Sequence, residues 1–363
     1  MEIYAVAAPG LAEYLAAEAR ETGFTVVDTT VGGVTLRGGW PEVWRANLVL
    51  RGANRILVRV ASFRALHLAQ LDKRARKLPW STWLRSDKSV RVEATCRKSR
   101  IYHDRAAAQR IARAISDTLG ARVDESASVS IKLRIEDDLA TISIDTSGQS
   151  LHKRGYKQAV NKAPMRETLA AMFLRACAFD GAMPVVDPMC GSGTFVVEAA
   201  EIAAGLAPGR ARRFAFENLA TFDRVAWEAI RAPSGAGIAL PRFFGSDRDQ
   251  GAVTNAVQNA ERAGVASSCD FTCRPVRKIS APTDAPGLVI VNPPYGARIG
   301  NKRPLFALYA AFGERMRQAF HGWRVGLITS EPGLAKATGL PFKSPGPFVD
   351  HGGQKIRLWQ AGL

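Results

Sequence analysis

No run of 18 or more apolar residues occurs anywhere in the 363-residue sequence, so a membrane-spanning helix is not expected. The amino terminus, MEIYAVAAPGLAEYL, has no basic start and carries Glu2 and Glu13, unlike a secretory leader. A cytoplasmic location is the default. Cysteine is sparse: Cys96, Cys177, Cys190, Cys269 and Cys273 are odd in number, scattered, and form no CxxC pair. The five histidines form no metal-ligand cluster, so neither disulfides nor a metal site is expected. Acidic residues are also short, 33 against 50 Lys and Arg, which leaves a net charge of +17. An excess of that size favours a polyanionic partner held through phosphate contacts. Nothing points to an obligate protein partner. The hydrophobic fraction, 47%, is that of an ordinary globular chain, and the length suits two or three domains.

The stretch that organises the chain is GLVIVNPPYGARIG, Gly287–Gly300. Leu288–Val291 is a short, fully apolar, β-branched run, as expected of a strand buried on both faces of a parallel sheet. Pro293 and Pro294 end it, because proline fixes φ, lacks a donor and restricts the residue before it. The result is a stiff loop at the carboxyl end of a buried strand, where open α/β sheets bind ligands. The side-chain carbonyl of Asn292 and the main-chain carbonyl of Pro293 are acceptors, and two converging acceptors suit an exocyclic amino group. Tyr295 adds a ring on which a base can stack. The plainer reading is a strand followed by a proline-rich turn. The tetrapeptide Asn292-Pro293-Pro294-Tyr295 resembles the catalytic loop of the amino-methyltransferases, S-adenosylmethionine enzymes that methylate exocyclic nitrogens of bases.

Upstream, Met183–Asp187 reads as a strand, followed by a Gly-x-Gly turn and an Ala-rich helix over Phe195–Ala204. Gly191 and Gly193 let the backbone turn tightly and approach a ligand. Val196 stands where a dinucleotide fingerprint would have its third glycine, and the Gly-Lys-Ser/Thr of a P-loop is absent. The longer run DPMCGSGTF resembles the first cofactor motif of class I S-adenosylmethionine methyltransferases acting on RNA amino groups. That resemblance implies cofactor contacts from Asp187, Met189, Cys190, Gly191, Gly193 and Thr194. Phe243–Asp247 is a short strand ending in an acid, and the family uses that carboxylate for the ribose hydroxyls; the alternative for Asp247 is an N-cap of the helix Asp249–Ala263. Ala163–Ala170, with Thr168, resembles the family motif that closes over the cofactor. Relatives often hold the adenine with an acid after the third strand. That strand lies near Asp270–Thr272, Pro275 occupies the expected place, and no residue is assigned to the role.

The amino-terminal half reads as α+β. Strands are expected at Ile3–Val6, twice within Phe24–Leu36, at Val90–Ala94, Ser128–Glu136 and Thr141–Asp145, with helices at Leu11–Glu21, Trp40–Leu50 and Asp104–Leu119. Basic residues crowd from Arg51 onward, and RKSRIYHDR presents Arg97, Lys98 and Arg100 beside Tyr102. A nucleic-acid platform and a solvated charged face both fit that pattern. The run DTSGQSLHKRGYK, with Lys153 and Arg154, resembles the end of a THUMP domain, an RNA-binding module of tRNA- and rRNA-modifying enzymes. The resemblance implies a ferredoxin-like piece at 1–44, THUMP at 45–148, a linker at 149–163 and a Rossmann-like, seven-stranded methyltransferase domain at 164–363. Arg210–Arg231 resembles an insertion of the THUMP-containing rRNA guanine-N2 methyltransferases. Beyond the tetrapeptide, a helix is expected at Arg303–Phe320 and strands at Trp323–Thr329 and Gln354–Gln360. Bifunctional relatives append a second methyltransferase domain, and no second one is expected in this sequence. The implied activity is methylation of guanine N2 in structured RNA, with 23S rRNA ahead of tRNA. Adenine-N6 methylation of nucleic acid, or RNA binding by a non-catalytic methyltransferase fold, are the alternatives.

Overall fold

The computed structural model describes residues 1–158, 164–232, 242–295 and 303–363. Two of the sequence expectations reach beyond them: residues 296–300 of the proline loop and 159–163 of the linker lie outside the described residues. The chain forms two compact units. The first gathers Met1–Ala7, Leu15–Leu151 and Gly209–Ala232, and the second takes Ala8–Tyr14 with the described parts of 152–208 and 233–363.

The first unit holds one seven-stranded sheet. Its strands are β1 (Glu2–Val6), β2 (Thr25–Thr30), β3 (Gly33–Arg37), β4 (Arg55–Arg64), β5 (Val90–Arg97), β6 (Val129–Glu136) and β7 (Leu139–Asp145), in the order β2-β3-β1-β4-β7-β6-β5. Alternation drives it: in β6, Val129, Ile131, Leu133 and Ile135 are all buried, at the two-residue period of a strand. Helix α2 (Trp40–Val49, after α1 at Ala12–Glu21) buries Val43, Trp44, Ala46, Asn47 and Leu48. A second helix of this unit, α4 (Asp104–Leu119, after α3 at Leu68–Ala75), buries Ala107, Ile111, Ala114 and Ile115 and ends at left-handed Gly120. The β6–β7 turn places both Asp137 and Asp138 at positive φ, as a tight two-residue hairpin requires.

Strand β4 was not among the sequence expectations, because its arginines broke the apolar run. Ile56 and Val58 are buried, while Arg55 and Arg59 are half-buried on the other face, Arg55 paired with the buried Asp145. Residues Arg55–Arg59 pair with β1, and Leu57–Arg64 pair with β7 across a bulge between Arg59 and Ala61. One strand thus closes the first three strands into the same sheet as the last three.

The second unit holds the other seven-stranded sheet. Its strands are β8 (Val185–Asp187), β9 (Phe243–Asp247), β10 (Cys269–Cys273), β11 (Leu288–Val291), β12 (Arg324–Thr329), β13 (Val349–His351) and β14 (Gln354–Gly362), ordered β10-β9-β8-β11-β12-β14-β13. The first five are mutually parallel, and β14 runs antiparallel to β12 and to β13. All four residues of β11 are 0% exposed, as its continuous apolar run predicts. Each such side chain contributes about 1.5–3 kcal/mol on burial. Strand β8 is shorter than expected: Pro184 stands outside it, lacking an N–H for the ladder, and offers its carbonyl to the Leu288 N–H at 2.9 Å. Helices α5 (Glu167–Ala176), α6 (Thr194–Ala203), α8 (Gln250–Ala263), α9 (Arg303–Ala319) and α10 (Pro332–Ala337) belong to this unit, and α7 (Arg224–Arg231) to the first. No helix among the described residues is long and apolar enough to cross a membrane.

Candidate active site

Strand order fixes where chemistry can occur. The chain leaves β8 for β9 on one side, and β11 pairs with β8 on the other, so the carboxyl end of β8 is a topological switch point. Asp187 ends β8, Asp247 ends β9 and Asn292 follows β11, so the three polar residues leave neighbouring parallel strands on one edge.

The turn after β8 is built for close approach. Gly191 and Gly193 have φ of 52° and 81°, in the left-handed region. A Cβ on Gly193 would stand 3.0 Å from Ala256 Cβ and 3.2 Å from the Phe271 ring. The Gly191 N–H donates to Asp247 Oδ2 at 3.0 Å, and the Cys190 N–H to the Ser246 carbonyl at 2.9 Å, tying the turn to β9. Asn259 of α8 donates to the Ser192 carbonyl at 2.9 Å from the other side. Asp247 Oδ1 accepts the Asp249 N–H at 3.0 Å. The cap of α8 is Asp249, whose Oδ1 accepts the Gly251 N–H at 3.0 Å, and so the capping alternative for Asp247 is not what the fold uses.

Asp187 is buried at the strand end, its Oδ1 accepting the Met189 N–H at 3.1 Å. Desolvation pushes its carboxyl up to about 8, with the negative Asp247 adding to the rise. A buried acid whose charged neighbour is another acid suits a cationic ligand. Met189 is half-buried against the core, and burial holds the Cys190 thiol well above its usual range. The donor set of glycine turn and two carboxylates therefore fits a cofactor with a positive centre and a diol.

Thr168 is buried in the first turn of α5, and Thr194 opens α6. A residue the sequence reading passed over joins their two helices. Lys157 Nζ donates to Thr194 Oγ1 and to the Met165 carbonyl, both at 2.8 Å, and lies 3.5 Å from Glu167. Burial lowers the lysine and raises the glutamate. Its neighbour Arg154 was expected to meet RNA but is only 3% exposed, with its guanidinium 3.4 Å from Glu198 of α6. Removing one partner from such a buried pair costs about 3–5 kcal/mol, so Arg154 serves the fold. Lys153 is exposed. Their spacing in HKRGYK gave no sign of which cations turn inward.

Arg97, Lys98 and Arg100 are exposed in the first unit, Arg97 at the end of β5 and the other two on the loop after it. That loop is fixed rather than loose. The Arg100 N–H donates to Asp138 Oδ1 at 2.7 Å, the Asp138 N–H to Ser99 Oγ at 3.0 Å, and Lys98 has φ 46°. Tyr102 is 73% exposed, its ring centroid 4.4 Å from that of His103.

In the proline loop, Pro293 is buried and Asn292 and Tyr295 are half-buried. Asn292 Oδ1 is fully shielded yet has no hydrogen-bond partner among the described residues. Burial pushes the Tyr295 phenol up to about 12, so it stays neutral. No cluster of three or more metal-ligating side chains occurs among the described residues.

Five parallel strands, an antiparallel β14 beside β12, and a glycine turn after the first strand define the class I methyltransferase fold. The RMKL-like methyltransferase domain matches residues 154–342, the RlmL ferredoxin-like domain 2–57 and the THUMP domain 67–145. The chain belongs to the RMKL-like methyltransferase family. It is 36% identical over 360 residues to the ribosomal RNA large subunit methyltransferase K/L of Syntrophotalea carbinolica, covering 94% of this chain and 50% of that protein. The chain thus spans about half the length of that relative. Among solved structures, a possible methylase from Clostridium difficile 630 superposes with a TM-score of 0.91 at 29% identity, covering 100% of this chain and 98% of the other. SMU.472, named as a methyltransferase and solved in complex with SAH, gives 0.89 at 27% identity, covering 99% and 97%.

Proposed function

We propose that this chain transfers a methyl group from S-adenosylmethionine to the exocyclic N2 amine of a guanosine in structured RNA, with large-subunit rRNA as the substrate. The observation that carries it is the Asn292 side-chain oxygen, a shielded acceptor with no hydrogen-bond partner among the described residues, on a proline-stiffened loop beside the β8 switch point. A buried acceptor without a donor costs about 1–3 kcal/mol, and an incoming N–H relieves it. Membership of the family, an rRNA-methylating relative and an SAH-bound structural neighbour support the same reading.

S-adenosylmethionine supplies an electrophilic methyl on a sulfonium centre. In this reading Asp187, Met189, Cys190, Gly191, Gly193, Thr194 and Thr168 line its methionine end, and Asp247 accepts the ribose hydroxyls with the lone pairs left beside its two backbone bonds. The target base is flipped from its helix and stacks on Tyr295. Asn292 Oδ1 and the Pro293 carbonyl accept the two amine hydrogens, which turns the nitrogen lone pair toward the methyl. As the methyl–sulfur bond breaks to leave a neutral thioether and the carbon–nitrogen bond forms, the amine would become cationic and then lose its extra proton to water, so no strong base is needed. Positioning in a preformed site supplies most of the acceleration.

The THUMP part, within 45–148, takes the RNA-binding role through Arg97, Lys98 and Arg100, with Lys153 as a further contact. An rRNA substrate places the reaction in the cytoplasm. Asn292→Ala tests the assignment: tritiated methyl transfer to unmodified 23S rRNA should fall by ~10²–10³ in rate while S-adenosylmethionine affinity stays within about twofold. A fully active variant would reduce the loop to a strand terminator.

A further inference from the structure

Tyr309 lies on α9 in the core of the second unit, 1% exposed. Its hydroxyl is 3.4 Å from the Pro294 carbonyl oxygen, and the side chain of Thr329, the last residue of β12, is the polar group that counters the burial of its phenol. Thr329 Oγ1 in turn accepts the Glu331 N–H at 3.2 Å. Chemistry orients this series. A backbone N–H can only donate and a carbonyl can only accept. Thr329 accepts from Glu331, which leaves its own proton for the Tyr309 oxygen, and Tyr309 gives its own to Pro294. Burial raises the Tyr309 phenol, so it remains a donor at any working pH. Each hydroxyl donates once and accepts once, and both ends are main chain.

The contact at 3.4 Å is long for O–H···O, and bonds around catalytic groups are often long without substrate and tighten in the complex. Its effect is to commit the Pro294 carbonyl to the protein. Within the tetrapeptide, the acceptors that precede it, Asn292 Oδ1 and the Pro293 carbonyl, are then set by a hydrogen-bonded series anchored on the neighbouring strand. β11 and β12 are paired in parallel, Val291 opposite Leu327, so the anchor starts from the same edge of the sheet as the loop.

We propose that Tyr309 is a positioning residue for methyl transfer: with Thr329 and the Glu331 N–H it clamps the Asn-Pro-Pro-Tyr loop through the Pro294 carbonyl. This rests on the function proposed above. Tyr309 touches neither substrate nor cofactor and acts only through the loop.

The test keeps the ring and removes the hydroxyl. With the full chain, unmodified 23S rRNA and tritiated S-adenosylmethionine, Tyr309→Phe should lower kcat by about 10- to 100-fold, the scale of a misplacement near 1 Å. KM for RNA and the dissociation constant for S-adenosylmethionine should stay within about twofold. A merely structural role would lower Tm and leave kcat of the folded fraction intact. Thr329→Val should lower kcat in the same direction, and Thr329→Ser, which restores the hydroxyl, should recover it. Combined with Tyr309→Phe, Thr329→Val should cost nothing more, because it acts through the Tyr309 oxygen. Wild-type kcat in Tyr309→Phe overturns the proposal, as do additive losses in the double variant. If Tyr309→Phe fails to fold, the Thr329 pair decides: equal kcat in the Val and Ser variants overturns it. An inactive Asn292→Ala alongside a normal Tyr309→Phe sinks this inference alone, whereas an active Asn292→Ala sinks the reading beneath it.

Discussion

Asp187 offers a prediction whose sign and size come from its surroundings. Desolvation, with Asp247 adding to it, raises the carboxyl to about 8 in the ligand-free protein. An unfolded chain releases that proton near 4. Between about pH 4 and 8 the folded protein therefore holds a proton that the unfolded chain has lost. The acid's contribution to stability is complete below 4 and declines as pH rises through 8. A ligand with a sulfonium and an ammonium group reverses the preference, since a nearby cation favours the carboxylate. Binding should then expel the Asp187 proton, and affinity should rise about tenfold per pH unit up to about 8 and level off above it. At pH 6 the dissociation constant should be about 100-fold weaker than at pH 8 to 9. Calorimetry in two buffers of different ionisation enthalpy counts the proton: about one released at pH 7. Asp187→Asn should bind more weakly at pH 8 and show a flatter profile, and its remaining proton count reports the ligand's own groups. If wild type and variant release the same number of protons, Asp187 does not face the cofactor's positive end and this account of the site is wrong.

Two further outcomes follow from the geometry. Gly193→Ala must hold φ near 81° with a Cβ 3.0 Å from Ala256, so it should lose about 1–3 kcal/mol of stability and at least tenfold in S-adenosylmethionine affinity; a variant that melts earlier but binds normally would confine the glycine to a folding role. Replacing Arg97, Lys98 and Arg100 together by alanine should reduce the slope of log affinity for single-stranded RNA against log salt by about 2, at about 0.7 per lost phosphate contact. An unchanged slope would remove the loop after β5 from RNA binding.

What was legible in the sequence is what local chemistry dictates. The fully apolar run of β11 and the glycine turn after β8 announced a parallel sheet and a ligand edge, and both stand where their spacing put them. Helix α4 follows its apolar period from Asp104 to Leu119. Charge was the poorer guide, because a basic residue reads the same whether it faces water or an acid in the core. Arg154 counted toward a nucleic-acid face and Lys157 toward nothing, yet both hold α5 and α6 against the 154–157 segment. Half-buried arginines, Arg55 among them with its buried partner Asp145, concealed β4 for the same reason. Tyr309 could not be found from sequence at all. Its meaning comes from a contact across 15 positions to Pro294 and from a strand that reaches it only once the sheet is formed.

The inserted segment 209–232 carries the argument one step further. Its position in the chain, after α6, files it with the methyltransferase sequence, yet its contacts belong to the first unit. Phe216 is fully buried, with its ring 6.2 Å from Trp44 of α2 and 5.0 Å from Trp227 of α7. Main-chain bonds fasten the same stretch: Gly209 N–H to Leu48 O at 2.9 Å, Phe216 N–H to Thr146 O at 3.0 Å, and Ala220 N–H to Trp83 O at 2.9 Å. Arg212 gives two more, to the Ser150 and Gln149 carbonyls at 2.7 and 2.6 Å. These bonds give the amino-terminal unit part of its core from sequence that lies beyond the cofactor turn. A fragment ending at residue 150 would leave Trp44 without Phe216 and Phe222, at a cost of several kcal/mol of lost burial. The first unit is therefore assembled from three separate stretches of the chain, Met1–Ala7, Leu15–Leu151 and Gly209–Ala232. Its contacts are not complete until residue 232 has been made, well after the glycine turn of the second unit.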